Sequence, residues 1–428
     1  MSTDRVVIVG GGQAGFEAAT RLRANGFDGQ VALTGDEATE PYQRPPLSKA
    51  YLQEGDHDSL ALRPRDHYLS HNIRLECGRS VTAIDRRHQR VELDNGAALD
   101  YDHLVLATGA RNRPLPVPGA DLEGVFYLRT ADEASALVAA LATCTSLVVI
   151  GAGFIGLEVA AAARKRDVAV TVVEALNRPM TRALSAPMSD YFAAEHVCHG
   201  VDLRLETGVT QLLGVAGHVS AVRVSDGTTI PADTVLIGIG VLPNTELADS
   251  AGLPTHNGII VDRHLRTPDP RVWAIGDCAA FPAADSDALV RLESVQNAVD
   301  HARCVAAQLV GGSDGYHEVP WFWSEQYDSK LQMAGRMSTA DTHVLRGSIP
   351  RKSFSVFGFR SDRLVGVESV NAVRDHMAAR KALACGMPVT PTQIADAAFD
   401  LKASIKEFQT SAEPVLNPSG YVDASARN

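Results

Sequence analysis

The chain has 428 residues, 45% of them hydrophobic and 21% charged, with a formal net charge of −11. That length exceeds one ordinary core, so two or three domains are expected, and the acidic balance argues against a nucleic-acid binder, which would be basic. No apolar stretch approaches the roughly 20 residues of a membrane helix, and no basic-then-apolar leader precedes the first apolar run at residues 5–9, so a soluble, cytoplasmic protein without a membrane partner is expected.

In chain order, Val6 to Val9 reads as a strand, Gly10 to Gly15 as a glycine loop, and Phe16 to Asn25 as a helix with Gly26 at its C-terminal end. Val31 to Thr34 is the next strand, closing on Asp36. The stretch Pro41-Tyr42-Gln43-Arg44-Pro45-Pro46-Leu47-Ser48-Lys49 is too rich in proline for an element interior and reads as a loop. Leu104 to Ala107 is a strand entering a turn at Thr108-Gly109, and a proline-rich connection, Arg113 to Pro118, looks like a crossing between domains. The pattern then repeats about 140 residues on. Leu147 to Ile150 is a strand, Gly151 to Gly156 a loop, Leu157 to Lys165 an alanine-rich helix, and Val168 to Val173 a strand closing on Glu174. Strands follow at Val219 to Val224 and Thr234 to Gly238, and Gly238 to Asn244 resembles a return crossing. Val272 to Asp277 is a further strand and Glu293 to Leu309 a helix. From Val319 the texture changes to short strands (Phe354 to Phe359, Leu364 to Val370) and a helix (Arg374 to Ala384), which suggests a third, α+β domain. The end of the chain is polar.

The two loops carry the first chemical signal. Gly10, Gly12 and Gly15 have the spacing G-x-G-x-x-G, and Asp36 follows Gly15 by 21 residues; Gly151, Gly153 and Gly156 repeat it, with Glu174 18 residues after Gly156. Such a loop turns tightly at its first glycine, admits a pyrophosphate at its second, and packs helix on strand at its third, while the acid receives a ribose hydroxyl. One loop is weak evidence; two, each between strand and helix with an acid at the right offset, point to two dinucleotides. A carboxylate at Glu174 repels a 2′-phosphate, so NADH is favoured over NADPH. Arg178 and Arg182 close by either hold a pyrophosphate or pair with local acids.

The six cysteines, Cys77, Cys144, Cys198, Cys278, Cys304 and Cys385, stand at least 26 residues apart. A disulfide framework, a metal site and a protein-held iron–sulfur cluster are all disfavoured, and most read as small buried hydrophobes.

Taken with the segments Gly10–Phe16, Pro41–Lys49, Ala107–Gly109, Gly151–Glu158, Ala274–Asp277, Glu293–Ala298 and Pro320–Gln326, the sequence resembles the FAD-dependent pyridine nucleotide–disulfide oxidoreductases. More closely it is similar to the NADH:ferredoxin reductases of cytochrome P450 and aromatic-ring dioxygenase systems. The likeness runs from Val6 to about Lys406. It implies an α/β fold with two Rossmann-like, glutathione-reductase-like domains and a C-terminal α+β domain. The FAD-binding domain would be discontinuous (1–110 and 240–318), the NAD-binding domain 111–239, the C-terminal domain 319–410, and 411–428 a polar tail.

The resemblance also implies roles. Gly10, Gly12, Ala14, Gly15 and Asp36 would hold the AMP half of FAD, Arg44 the pyrophosphate, and Val81 the adenine. Thr108 and Arg129 would line the FAD cleft and Asp277 would hold a ribityl hydroxyl. Val295 would start a helix aimed at the pyrimidine end of the flavin, where a helix N-terminus favours negative charge. Lys49 would lie near the flavin N5, paired with Glu158 by the nicotinamide. Trp323 either covers the dimethylbenzene edge or packs as core. Gly151, Gly153, Ile155, Gly156, Glu158, Glu174, Arg182 and Gly240 would bind NAD.

The disulfide-reducing relatives carry a Cys-x₄-Cys pair where this chain reads Gln43 to Lys49, and no cysteine occurs before Cys77. A dithiol relay is therefore impossible there, and electrons must leave the flavin directly. That suits a one-electron acceptor such as a [2Fe–2S] ferredoxin, itself acidic, with Arg63, Arg65, Arg303, Lys330 and Lys402 as candidate docking cations. The alternatives are an NADH oxidase or rubredoxin reductase and, in another class, an NADH-sensing flavoprotein resembling apoptosis-inducing factor.

Overall fold

The computed structural model describes residues 4–56, 58–283 and 288–411. These residues form two compact units, the first ending at Lys330 and the second beginning at Leu331.

Two five-stranded parallel sheets organise the first unit. One has the strand order Val272–Ala274, His103–Leu106, Arg5–Val9, Gln30–Gly35, Ile73–Cys77. The other runs Val201–Arg204, Ala169–Val173, Ser146–Ile150, Thr234–Ile237, Val125–Phe126. Their central strands are continuous runs of Val, Ile and Leu because both faces are covered, by helices on one side and by a three-stranded antiparallel sheet on the other, so no alternation survives; Val6, Val7, Ile8, Leu147, Val148 and Val149 are all buried. In each sheet the glycine loop leaves the C-terminal end of the middle strand, where ligands of open parallel sheets bind.

Both loop helices begin earlier than their apolar spacing suggests. The first spans Gln13–Ala24 and the second Phe154–Arg164. The opening turn of the first is Gln13-Ala14-Gly15, with no large apolar side chain to announce it, and Gly12 and Gly153 serve as N-caps. The strand expected to run to Asp277 stops at Ala274, and Gly276–Cys278 is a 3₁₀ turn opened by Gly276 at φ +72°. The proline-rich loop also contains a 3₁₀ turn, Pro45–Ser48. Pro45 and Pro46 occupy its first positions, where a missing N–H costs nothing. The helix expected from Glu293 starts at Val295, capped by the Ser294 side chain, which accepts from Asn297 N at 3.0 Å.

The second unit is α+β. Strands Thr342–Ser348, Ser353–Arg360 and Arg363–Val370 form antiparallel pairs, and Leu331–Gly335 of the strand Ser329–Gly335 joins them along Arg363–Val370. Helix Val373–Cys385 packs against the strand Arg363–Val370 of this sheet. The final helix, Leu401–Ser411, reaches the first residue of the expected tail; the rest of that tail lies outside the described residues.

Candidate functional site

The loop glycines divide into two kinds. A Cβ on Gly10, at φ +120°, would stand 2.1 Å from the Ala107 carbonyl oxygen, and one on Gly15 would stand 2.0 Å from that of Gly10. In the second loop the corresponding distances are 2.5 Å from Gly238 O at Gly151 and 2.3 Å from Gly151 O at Gly156. The middle glycines differ: nothing lies within 4 Å of a Cβ on Gly12, and the nearest atom to one on Gly153 is at 3.8 Å. The protein itself demands Gly10, Gly15, Gly151 and Gly156 for packing, whereas the middle glycines leave an open cradle at a helix N-terminus. That geometry fits a pyrophosphate in both loops.

Beyond the first loop, a cleft of about 270 Å³ is walled by Gln13, Gln43, Pro45, Pro46, Lys49, Ala50, Val295, Trp323 and Glu325. It gathers Lys49, Val295 and Trp323, three of the residues expected around the flavin. The 3₁₀ turn ends at Ser48 and sends Lys49 toward the helix Phe154–Arg164, where its Nζ meets Oε2 of Glu158 at 2.7 Å. Glu158 is only 4% exposed. The Ser48 hydroxyl also donates to Oε2, and the Ser324 hydroxyl donates to Oε1 at 2.6 Å. The carboxylate is therefore paired and bonded on both oxygens, as a buried charge requires.

Several expected residues lie outside this cleft's wall and are held by one another. Arg129 bonds Asp277 at 2.9 Å. Arg44 is shared between Glu37 and the Arg129 carbonyl, each at 2.6 Å. The Thr108 hydroxyl is spent on the Asn244 carbonyl at 2.6 Å, tying the turn after the strand His103–Leu106 to the return crossing. Asp36 is exposed just past the strand Gln30–Gly35. Val81 lies in a three-stranded antiparallel sheet, paired with Leu93. Ala14 and Ile155 stand in the first turns of the two loop helices. Glu174 accepts from the Ala152 and Leu176 N–H groups at 2.8 and 2.9 Å, so it braces the second loop, and the Arg182 guanidinium approaches to 4.0 Å from where a Gly240 side chain would begin.

The five candidate docking cations are mostly engaged locally. Arg65 pairs with Glu40 at 3.0 Å, Arg303 with Asp300 at 3.2 Å, and Lys330 stands 4.0 Å from Glu325. Arg63 donates to the Leu62 carbonyl, and Lys402 is exposed. All six cysteines are free. Cys278 is fully buried, and burial pushes its thiol up, away from the reactive thiolate. Among the described residues no cluster of His, Cys, Asp and Glu could hold a metal, and no helix is long and apolar enough to cross a membrane. Sequence reading missed Gln13, Gln43 and Glu325 in the cleft and both serines on Glu158. Gln13 sits inside the loop motif and Ser48 beside Lys49, so position alone would have found those two.

Comparison with known proteins agrees with this geometry. The pattern of the family described as pyridine nucleotide-disulphide oxidoreductase matches residues 4–302, and that described as reductase C-terminal matches residues 321–405. Rhodocoxin reductase of Rhodococcus erythropolis is 62% identical over 94% of each chain. Putidaredoxin reductase of Pseudomonas putida is 43% identical over 94% of this chain and 97% of its own. Among solved structures, a ferredoxin reductase from Rhodopseudomonas palustris superposes with a TM-score of 0.92 at 47% identity, over 94% of this chain and 100% of that one. The chain therefore belongs to the pyridine nucleotide–disulphide oxidoreductase family. It is an oxidoreductase of the ferredoxin reductase type, one that uses FAD and NAD(H).

Proposed function

We propose that this chain passes electrons from NADH through FAD to a [2Fe–2S] ferredoxin that serves a cytochrome P450 or an aromatic-ring dioxygenase. Two relatives' names support that acceptor: one is the reductase of an anthranilate 1,2-dioxygenase system, and one was solved as a covalent putidaredoxin reductase–putidaredoxin complex. When bound, FAD accepts a hydride as two electrons and can release them singly; the protein supplies position and electrostatics.

The observation that carries the reading is the cleft wall. Lys49, Val295 and Trp323 meet there, and no cysteine lines it. On this reading the sheet built from residues 5–106 and 272–274 carries FAD and the sheet from 125–237 carries NAD. Gly10, Gly12, Ala14, Gly15, Asp36, Arg44 and Val81 hold the adenosine and pyrophosphate of FAD, with Thr108, Arg129 and Asp277 along its ribityl chain. Val295 opens the helix facing the flavin's pyrimidine end, and Trp323 covers the opposite edge. Gly151, Gly153, Ile155, Gly156, Glu174, Arg182 and Gly240 receive NAD, while Lys49 and Glu158 meet the nicotinamide. Arg63, the least engaged of the cations in the first unit, is the first docking candidate. Six unpaired cysteines favour a reducing, cytoplasmic compartment.

The test is anaerobic stopped-flow reduction by NADH and by NADPH, followed by cytochrome c reduction with and without a [2Fe–2S] ferredoxin. Rapid flavin bleaching by NADH and ferredoxin-dependent turnover are expected. Turnover indifferent to ferredoxin, with stoichiometric oxygen consumption, would replace this reading with an NADH oxidase. Turnover restored by rubredoxin but not ferredoxin would match the rubredoxin–NAD(+) reductase relative, 37% identical over 86% of this chain.

A further inference from the structure

Glu158 is the end of a longer chain of hydrogen bonds that the site described so far does not use. Strand Trp321–Gln326 alternates: Trp323 and Glu325 wall the cleft, while Ser324 and Gln326 turn inward and are fully buried. The Ser324 hydroxyl donates to Glu158 Oε1 at 2.6 Å and itself accepts from Gln326 Nε2 at 3.2 Å. The Gln326 Oε1 lies 2.8 Å from Nε2 of His196, on helix Ala186–Cys198, and His196 Nδ1 lies 3.2 Å from the Tyr327 hydroxyl.

The direction of every bond follows from the groups. An amide oxygen only accepts, so His196 Nε2 must carry the hydrogen, and its bare Nδ1 then accepts from Tyr327. Burial pushes His196 down to about 4 and pushes the Tyr327 phenol up, so at neutral pH the imidazole is neutral and the phenol keeps its proton. All donors then point one way, from Tyr327 to the carboxylate. The start of the chain is anchored with some strain. Tyr327 holds φ +55°, unusual for a bulky residue, and its ring stacks on His199 at 3.7 Å with 10° between planes.

We propose that Ser324, Gln326 and His196 are positioning residues for flavin reduction: their one-way chain of donors, started by Tyr327, pins Oε1 of Glu158 and leaves Oε2 to hold Lys49 at the flavin cleft. A Glu carboxylate rotates broadly about its last torsion. Without Ser324 only Ser48 and Lys49 restrain it, and Lys49 loses a fixed counterion. The inference rests on the placement of Lys49 and Glu158 beside the flavin.

The first test reads the tautomer in the wild-type protein. Histidine-labelled ¹⁵N NMR of the holoenzyme, with His196 assigned by its loss in His196→Asn, should show a neutral Nε2–H tautomer at neutral pH. An Nδ1–H tautomer or an imidazolium overturns the chain. The second test is anaerobic flavin reduction by NADH. Ser324→Ala should slow it about tenfold with NADH affinity changed by no more than about twofold, since a displaced group costs rate rather than binding. Ser324→Thr, which keeps the hydroxyl, should recover most of the rate. Should Ser324→Ala not fold, Gln326→Leu is read in its place, with a slowing of about threefold expected for one lost neutral bond. In a Lys49→Met background Ser324→Ala should slow nothing further, because it acts through that lysine. A wild-type rate in Ser324→Ala, or an undiminished effect in the Lys49→Met background, overturns the proposal. A wild-type rate in Lys49→Met alone would instead remove the pair from the flavin, and the NMR result would still decide the chain.

Discussion

At the scale of residues, the Lys49–Glu158 pair is asymmetric. The Glu158 side chain is 3% exposed and that of Lys49 19%, so most of the desolvation falls on the carboxylate. Removing Lys49 leaves a buried charge with only the Ser48 and Ser324 hydroxyls, whereas Glu158→Gln removes the charge and keeps the shape. Breaking a buried pair from one side costs about 3 kcal/mol where the remaining charge stays buried, and less where, as for Lys49, the remaining cation can turn to solvent. Lys49→Met should therefore lower the melting temperature by several degrees, and Glu158→Gln should lower it by less, although both slow flavin reduction. Differential scanning calorimetry of the two holoenzymes decides this, and equal destabilisation by both would show that the pair is not where the fold spends its desolvation energy.

At the scale of elements, the glycine loops were legible because their demands are local. Gly10 and Gly15 are set by backbone approach at 2.1 and 2.0 Å, and the spacing records that need directly. Gly12 has no such neighbour, which gives a clean separation between fold and ligand. Gly10→Ala and Gly15→Ala should fail to accumulate as folded protein. Gly12→Ala should fold with a near-normal circular dichroism spectrum yet bind FAD at least about tenfold more weakly, the loss of roughly one charge-assisted hydrogen bond. Gly12→Ala protein purified with full flavin content would mean that no pyrophosphate approaches there. The central strands were equally legible, since burial on both faces writes them as unbroken apolar runs. Helix Ala186–Cys198 was not: its buried Met188, Tyr191, Phe192 and His196 keep helical spacing, but exposed Ala194 and Val197 put apolar side chains on the outer face too and blur the stripe. Helix Ala131–Leu141 carried its own sign, a capping box of Thr130 and Glu133, that apolar spacing alone overlooks. Three-residue strands such as Ala98–Asp100 are too short to show alternation. Ser324 and Gln326 drew no notice because their role depends on partners more than 100 residues away.

At the scale of the whole molecule, three buried histidines in separate places set the response to acid. Burial pushes His301 down to about 3 and His196 and His376 to about 4. His301 shows why the charged form is excluded. Its Nδ1 accepts from the Gly276 N–H at 3.2 Å, beside Asp277, so a second ring proton would face a donor. Its Nε2 has no hydrogen-bond partner among the described residues, and the ring stands edge-on to Phe281 and Tyr316. These folded pKa values lie below the unfolded histidine value of about 6.5, so the unfolded chain binds more protons as pH falls. The stabilisation is fully present above about 6.5 and drains away between there and about 4 for His196 and His376, and down to about 3 for His301. At pH 5 each histidine has forfeited about 2 kcal/mol, against a total stability on the order of 10 kcal/mol. The carboxylates follow later: the hydrogen bond from Arg5 holds Asp102 below its ordinary range, so its contribution is lost only under more acidic conditions. The melting temperature should therefore fall steeply between pH 7 and pH 5, before the carboxylates titrate. His301→Asn, which keeps an acceptor near Gly276, should make that slope shallower while lowering the plateau at neutral pH. A melting temperature flat over that interval would mean that these rings admit a proton without unfolding, and the packing around His301 would need another explanation.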